Sequence, residues 1–339
     1  MKRLDFFRFT GAAAAIVGMT LLFRGLAYHP GVAPDFSDEK PGAETIVVIS
    51  TAESGSAIGA KLEAAGVVKS SQAFFRRAVL DPRSSRIAPG EHRIQTRISA
   101  KLALQQLLDA KRLVNAIEVK DGAWVSEVAA NLIAAGFSRG EVESALKKPS
   151  LPIDFKAKNA EGFLYPAFYD YQKGETASEI VKRMIARFES ATSEIQWKSV
   201  KGFTPYQVLT IASLIQAEGT PDVQRKVARV IFNRLQKRMP LQMDTTVHYI
   251  FKRRGKIALS LADTKVNSPY NTFLNAGLPP TPINSPTVGA INAALNAESG
   301  DWLYFVTVSP NVTKFTSNYD EFLSFKAEYK KNLAAGAFK

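Results

Sequence analysis

The sequence predicts an α+β protein: small strand–helix modules, then a mixed α/β domain, all behind an apolar N-terminal segment. Three observations predict it. A β-branched run, "TIVVIS" at 45–50, leads through a turn into the helical pattern "SAIGAKLEAAG", and the same order returns in "VNAIEVKDGAWVSEVAANLIAAGF" at 114–137. Apolar residues then recur at helical spacing at 180, 181, 184, 185 and 188 and again between 223 and 235. Finally, "DWLYFVTV" (301–308) reads as a strand with "KFTS" (314–317) as its hairpin partner. The 339 residues suffice for two or three domains.

At the N-terminus, Lys2, Arg3 and Arg8 precede an uncharged run from Phe9 to Phe23. That run is short of the roughly 20 residues a membrane span needs. It reaches Tyr28 if Arg24 snorkels to the headgroups. The basic flank before it and the acidic "DFSDE" after it orient the rest of the chain outside the cytoplasm. Residues 1–29 are therefore expected to form a cytoplasmic stub and transmembrane anchor, with a cleaved signal peptide as the alternative. Residues 30–44, rich in Pro, Gly and Asp, read as a linker.

Two strand–helix modules follow, at 45–115 and within 116–200. Their helix ends match, "IGAKLEAAGV" (58–67) against "VAANLIAAGF" (128–137), each with a Gly stop. "LDPRSSRIAPGEHRIQ" (80–95) reads as a turn-rich hairpin, and Thr176 or Ser178 starts a helix over the stripe ending at Phe188. The domain expected at 201–333, before a tail at 334–339, opens with Thr204 and Pro205, an N-cap and first-turn pair. In "TPDVQRKVARVIFNRLQKR" the apolar stripe runs from Val223 to Leu235. Phe232 and Asn233 lie off it, so a second face also meets something. The stretch 267–286 carries five prolines and is too stiff for a flexible linker. Tyr270, Asn271 and Thr272 on it suit a sugar, by stacking and hydrogen bonding; a structural strap is the alternative. Ser285 reads as the cap of the next short helix.

The composition excludes much chemistry. With no cysteine there are no disulfides, thiolate metal sites or cysteine nucleophiles. His29, His92 and His248 are too scattered for a zinc motif, so no metal or cofactor is expected. No G-x-S-x-G elbow or Gly-rich phosphate loop occurs. The net charge of +13 admits nucleic acid, anionic lipid or an anionic polymer as partner, but no nucleic-acid motif accompanies it. Carboxylates remain. In "TIASLIQAEGT" (210–220), Glu218 shares a helix face with Ile211, Leu214 and Ile215, at about 100° per residue. A carboxyl held there is protonated near neutrality and able to donate. The alternative is a cap or an ion pair with Arg225 or Arg229.

From 203 to 322 the blocks "LIQAE", "FNRL" (232–235), "LQMDTTV" (241–247), "SPYNTFLNAGLPPTPI" (268–283) and "LYFV" (303–306), with "EGFLYP" (161–166) before them, resemble in order and spacing those of the endolytic murein transglycosylase family (MltG/YceG-like). Residues 45–115 resemble that family's LysM-like region. The resemblance implies a lyase of the cell membrane, single-pass, with its C-terminal region outside. It would cleave the MurNAc–GlcNAc bond of nascent peptidoglycan strands without water to leave 1,6-anhydro ends, beside a peptidoglycan synthase or elongation or division complex, and so set strand length. It implies Glu218 as the catalytic acid and base. Asn233, Gln242, Asp244, Tyr270, Asn271 and Thr272 are the candidates for the substrate cleft. Asp244 would orient a sugar hydroxyl, stabilise positive charge, or cap the helix at "TTVHYI". The alternatives are a hydrolytic muramidase and a non-enzymatic glycan-binding anchor. Gln216 stands where many members have a second Glu, "AFY" (167–169) replaces a more common Asp-Thr-Tyr, and Thr313 and Phe322 stand where some relatives have His.

Overall fold

A computed structural model describes residues 33–50, 52–147, 149–197, 200, 202–255 and 259–338. The expected anchor at 1–29 and the start of the expected linker lie outside the described residues. Among those described, no helix is long and apolar enough to cross a membrane. The chain is a mixed α/β protein of two compact units, divided between Val114 and Asn115.

The first unit runs β1 (Glu44–Ile49), α1 (Gly55–Ala64), α2 (Ser71–Leu80), β2 (Gly90–Gln95), α3 (Ala100–Leu108) and β3 (Leu113–Val114). Period-2 alternation turns Val47 and Ile49 into the core and leaves Ile46 and Val48 exposed. Leu62, Phe74, Ile94 and Leu104 complete that core. Ser54, Ser70 and Ser99 each accept a hydrogen bond from the third helical N–H beyond them, the favoured capping chemistry. Residues 80–95 do not form a hairpin among themselves. Pro82–Arg86 makes a single tight turn, and β2 pairs antiparallel with β1 and β3 instead. Part of the expected linker is also held: Asp35 accepts from Ala100 N, and Asp38 from Ser99 N and Oγ.

The second unit begins with β4 (Ala116–Val119), α4 (Val125–Ala134), α5 (Arg139–Lys147) and β5 (Ala167–Asp170), the strands antiparallel. This repeats the strand–helix–helix–strand order of β1 to β2. Next come α6 (Ala177–Ala191), α7 (Pro205–Glu218), α8 (Gln224–Gln236), α9 (Asp244–Phe251) and α10 (Val288–Leu295). The hairpin β6 (Tyr304–Ser309) and β7 (Val312–Thr316) and then α11 (Tyr319–Ala334) close the unit. Thr176 and Thr204 form capping boxes with Glu179 and Gln207. Thr287, not Ser285, caps α10, accepting from Ala290 N.

Helix α7 is the centre of this unit. Every residue from Val208 to Ile215 is buried, so it has no solvent face. Its polar side is closed by the proline-rich strap. Ser213 Oγ accepts from Ile283 N at 3.0 Å, Asn284 Nδ2 donates to Ser213 O at 2.8 Å, and Gln216 Oε1 accepts from Thr287 N and Oγ1 at 3.0 and 2.8 Å. Gly162 fits where strap and helix meet. Its φ is +93°, and a Cβ there would lie 2.8 Å from Pro282 and 3.3 Å from Leu209. Gly162→Ala is therefore expected to destabilise the protein by about 2–4 kcal/mol, combining a left-handed backbone with a clash against a rigid ring. Urea unfolding compared with Gly174→Ala, at a positive-φ glycine with open space around it, separates the clash from the backbone effect.

Candidate active site

Glu218 is the last residue of α7. Gly219 ends the helix in an extended conformation, φ −129°, which any residue adopts. Its glycine is explained by proximity, since a Cβ would sit 3.3 Å from Val227 Cγ2 and 3.5 Å from Gln224. The turn from α7 into α8 is thereby drawn tight, and Glu218 is left partly buried at its edge.

The Thr245 hydroxyl donates to Glu218 Oε1 at 2.5 Å. Burial, the largest influence, pushes the Glu218 carboxyl up to about 7, and the negative charge of Asp244 adds to it; the Thr245 bond and the nearby Arg234 cation act the other way. The C-terminal end of α7 is itself the negative end of a helix dipole, another reason for the carboxyl to keep its proton. The ion-pair alternative fails: Arg225 and Arg229 donate instead to the carbonyls of Asn296 and Glu298. Arg234 makes no ion pair with Glu218 among the described residues. It is buried, donates to the carbonyls of Leu303 and Leu241, and lies 5.2 Å from the Tyr304 ring centroid.

The other expected site residues divide. Asp244 opens α9 beside Thr245, exposed to solvent, and desolvation by its surroundings raises its carboxyl. Met243 precedes it at the N-cap, and among the described residues that position has no side-chain capping hydrogen bond. Gln242 is exposed, held at φ +50° between buried Leu241 and Met243. Tyr270 is half-buried, its hydroxyl on Thr281 Oγ1 at 2.9 Å and its ring 5.1 Å from Tyr249.

Three of the expected site residues are engaged in holding the fold. Asn271 is fully buried; Nδ2 donates to Thr264 O and Val266 O, and Oδ1 accepts from Phe273 N. Thr272 is buried with Oγ1 on Met243 N and Thr246 Oγ1. Asn233 Nδ2 donates to the carbonyls of Gly300 and Trp302. Asn271 and Thr272 are thus enclosed in the fold, and the Asn233 amide nitrogen is engaged by backbone carbonyls.

Sequence reasoning missed four features. Two are Thr245 and Arg234, described above. Glu161 is 3 % exposed, accepts from Val125 N (3.1 Å) and Tyr249 Oη (2.8 Å), and burial pushes its carboxyl up to about 7. It joins the start of α4 to α9. Tyr304, Tyr319 and Phe322 form a cluster with centroids 4.9–5.9 Å apart beside Arg234, and Lys326 of the same helix lies close enough to influence Asp244.

Fold and site thus define a mixed α/β protein with one desolvated, proton-holding carboxyl at the end of a buried helix. The model of the YceG-like family matches residues 47–328. A protein of Bacillus subtilis named endolytic murein transglycosylase is 31% identical over 313 residues, 86% of each chain. One of the same name from Streptococcus pneumoniae is 35% identical over 183 residues, which cover 51% of this chain and 33% of that protein. The crystal structure of a YceG-like protein from Listeria monocytogenes superposes with a TM-score of 0.58 at 24% identity, covering 83% of this chain and 98% of that one, a likeness of fold. The chain belongs to the YceG-like family.

The raised Glu218 value has a signed consequence for stability. Unfolded, the group titrates near 4.5; folded, near 7. Between these the folded state holds a proton that the unfolded state releases, so stability falls as pH rises through this window. Glu218→Gln keeps an acceptor for Thr245 without the ionisation. It should match the parent near pH ~4 and exceed it by about 2 kcal/mol above pH ~8, a value reduced from the full shift for partial exposure. Urea titrations at the two pH values check this.

Proposed function

We propose that the chain is an endolytic murein transglycosylase, a lyase that cuts the MurNAc–GlcNAc bond of nascent glycan strands and leaves 1,6-anhydro-MurNAc ends. The observation that carries the reading is the desolvated Glu218 carboxyl, bonded to Thr245 and raised to about 7, on a helix within the family match. In the proposed reaction the Glu218 carboxyl protonates the glycosidic oxygen and the bond to C1 breaks. The resulting carboxylate takes the proton of the muramyl C6 hydroxyl, whose oxygen closes onto C1. Proton and electron pairs balance without water, so a single acid–base residue suffices where a hydrolase needs two. Asp244 stabilises positive charge on the sugar ring. Gln242 and Tyr270 remain candidates for sugar contact, joined by the cluster of Tyr304, Tyr319 and Phe322.

A second reading, a hydrolytic muramidase, draws on the exposed Asp244 carboxyl beside Glu218, a group able to position water. Product mass separates the two, because the anhydro end is lighter by one water.

The surroundings complete the proposal. The basic flank and apolar run at the N-terminus support a single-pass anchor in the cell (inner) membrane, with the remainder on the outer side. The two strand–helix–helix–strand arrangements support LysM-like glycan-binding modules. A synthase that elongates the strands is the partner the activity calls for; nucleic acid is not.

Glu218→Gln should lower the rate of end formation on uncrosslinked glycan by at least about 10²-fold while glycan still binds. Mass spectrometry of the released ends reads both results. Undiminished release of anhydro-ended fragments by this variant would falsify the role given to Glu218.

A further inference from the structure

Helix α9 has only eight residues, and a helix that short keeps its place through contacts rather than through its own propensity. It carries two hydroxyls four residues apart, Thr245 and Tyr249, on one face and about 6 Å apart along the axis. Each meets a desolvated carboxyl. Thr245 Oγ1 donates to Glu218 Oε1 at 2.5 Å, and Tyr249 Oη donates to Glu161 Oε2 at 2.8 Å. Both carboxyls are pushed up to about 7, in each case chiefly by burial. The first belongs to the proposed reaction. The second has no part in it and is 3 % exposed.

Glu161 is held at its backbone and at its carboxyl. Its N–H donates to Asn159 Oδ1 at 3.1 Å, and Gly162 after it leaves no room for a Cβ beside Pro282. Its Oε1 accepts from Val125 N at 3.1 Å, at the start of α4. Lys252 and Arg254, just beyond α9, lie near enough to lower the carboxyl, and Glu161 in turn acts on Tyr206 of α7. The Tyr249 ring has little freedom. Trp124 meets it edge-on at 5.9 Å, Tyr270 lies 5.1 Å away, and Lys252 Nζ sits 3.6 Å from its centroid. The Glu161–Tyr249 bond also survives the titration of Glu161. The carboxylate accepts from the phenol, and the protonated acid donates to it, because a tyrosine hydroxyl does both.

We propose that Glu161 is a positioning residue for Glu218: through Tyr249 it fixes the rotation of α9 and so holds the Thr245 hydroxyl on the acid. The inference rests on the reading of Glu218 as the acid of a glycan-cleaving site. It adds a second buried carboxyl that serves that acid from the far end of α9. The Thr245 bond lowers the Glu218 carboxyl, so whatever loosens α9 raises it.

The test follows the titration of Glu218 itself, by carbon NMR of the full chain labelled at its glutamate carboxyls. The Glu218 signal is the one that Glu218→Gln removes. Tyr249→Phe deletes the hydroxyl and keeps the ring, and should raise the titration midpoint of Glu218 by about half a pH unit or more. Glu161→Asp, too short to reach Val125 N and Tyr249 together, should shift it the same way and serves if Tyr249→Phe does not fold. Glu161→Gln copies the protonated acid, keeps both bonds, and should leave the midpoint unmoved. With Thr245→Val already present, Tyr249→Phe should add nothing, because the hydroxyl it positions is gone. A bond that merely braces the fold gives a different result: Tyr249→Phe and Glu161→Asp lower stability in urea and leave the Glu218 titration where it was, which overturns the proposal. A shift of full size in the Thr245→Val chain overturns it too, since the influence then bypasses the Thr245 donor. The titration needs no glycan, so it decides the role of Glu161 separately from the proposed activity. Absence of cleavage by the parent chain counts against that activity alone.

Discussion

The constraint on which the second unit depends is the burial of α7 on every side. A helix in a small domain usually shows one face to solvent. Here the apolar side of α7 enters the core, and the polar side is covered by the strap through Ser213 and Gln216. Backbone carbonyls and amides of an irregular strap need partners once water is excluded. The side chains of α7 and of the strap itself supply them. Helix α7 emerges only at its two ends, and the C-terminal one carries the carboxyl.

The strap does more than cover. Its prolines fix φ over much of its length, so the positions between them are set before any ligand arrives. Thr272 holds it to the loop before α9 through Met243 N, Asn271 holds it to the turn at 264–266, and the loop before α9 delivers Asp244 and Thr245 beside Glu218. Gly162 brings the chain after α5 against Pro282, and Glu161, one residue earlier, reaches Val125 N and Tyr249. Two neighbouring residues thus join the repeated strand–helix–helix–strand arrangement to the strap and to α9.

Much of the fold was legible in the sequence because periodicity records burial. The stripe from Ile180 to Phe188, the Thr204–Pro205 start of α7 and the strands at 44–49 and 304–309 all follow rules that act within one element. The direction of polar side chains in irregular backbone was not legible. Asn233, Asn271 and Thr272 have the residue types of a sugar site, but amides and hydroxyls serve orphan carbonyls and N–H groups equally well. Only the path of the strap decides between the two uses, and that path is set by contacts far apart in the chain. The same reasoning explains Gln216. Its amide reaches Thr287, 71 residues away, which no local pattern records. Asn284 is the converse case, an amide whose oxygen has no partner among the described residues.

The charges around Glu218 are balanced rather than maximised. A carboxyl that gives a proton and then takes one back works best with an affinity near the working pH. Burial alone carries a carboxyl far upward, and a direct arginine pair carries it well below its ordinary value. At Glu218, burial and Asp244 raise the value, while the Thr245 hydroxyl and the more distant Arg234 lower it, leaving it about 7. Arg234 moderates without clamping because its donors are engaged by the carbonyls of Leu241 and Leu303. Its position is therefore fixed by backbone and not by the carboxyl it influences. When Glu218 loses its proton in the proposed reaction, the cation stays in place, and the nascent carboxylate is left free to accept a proton from the substrate.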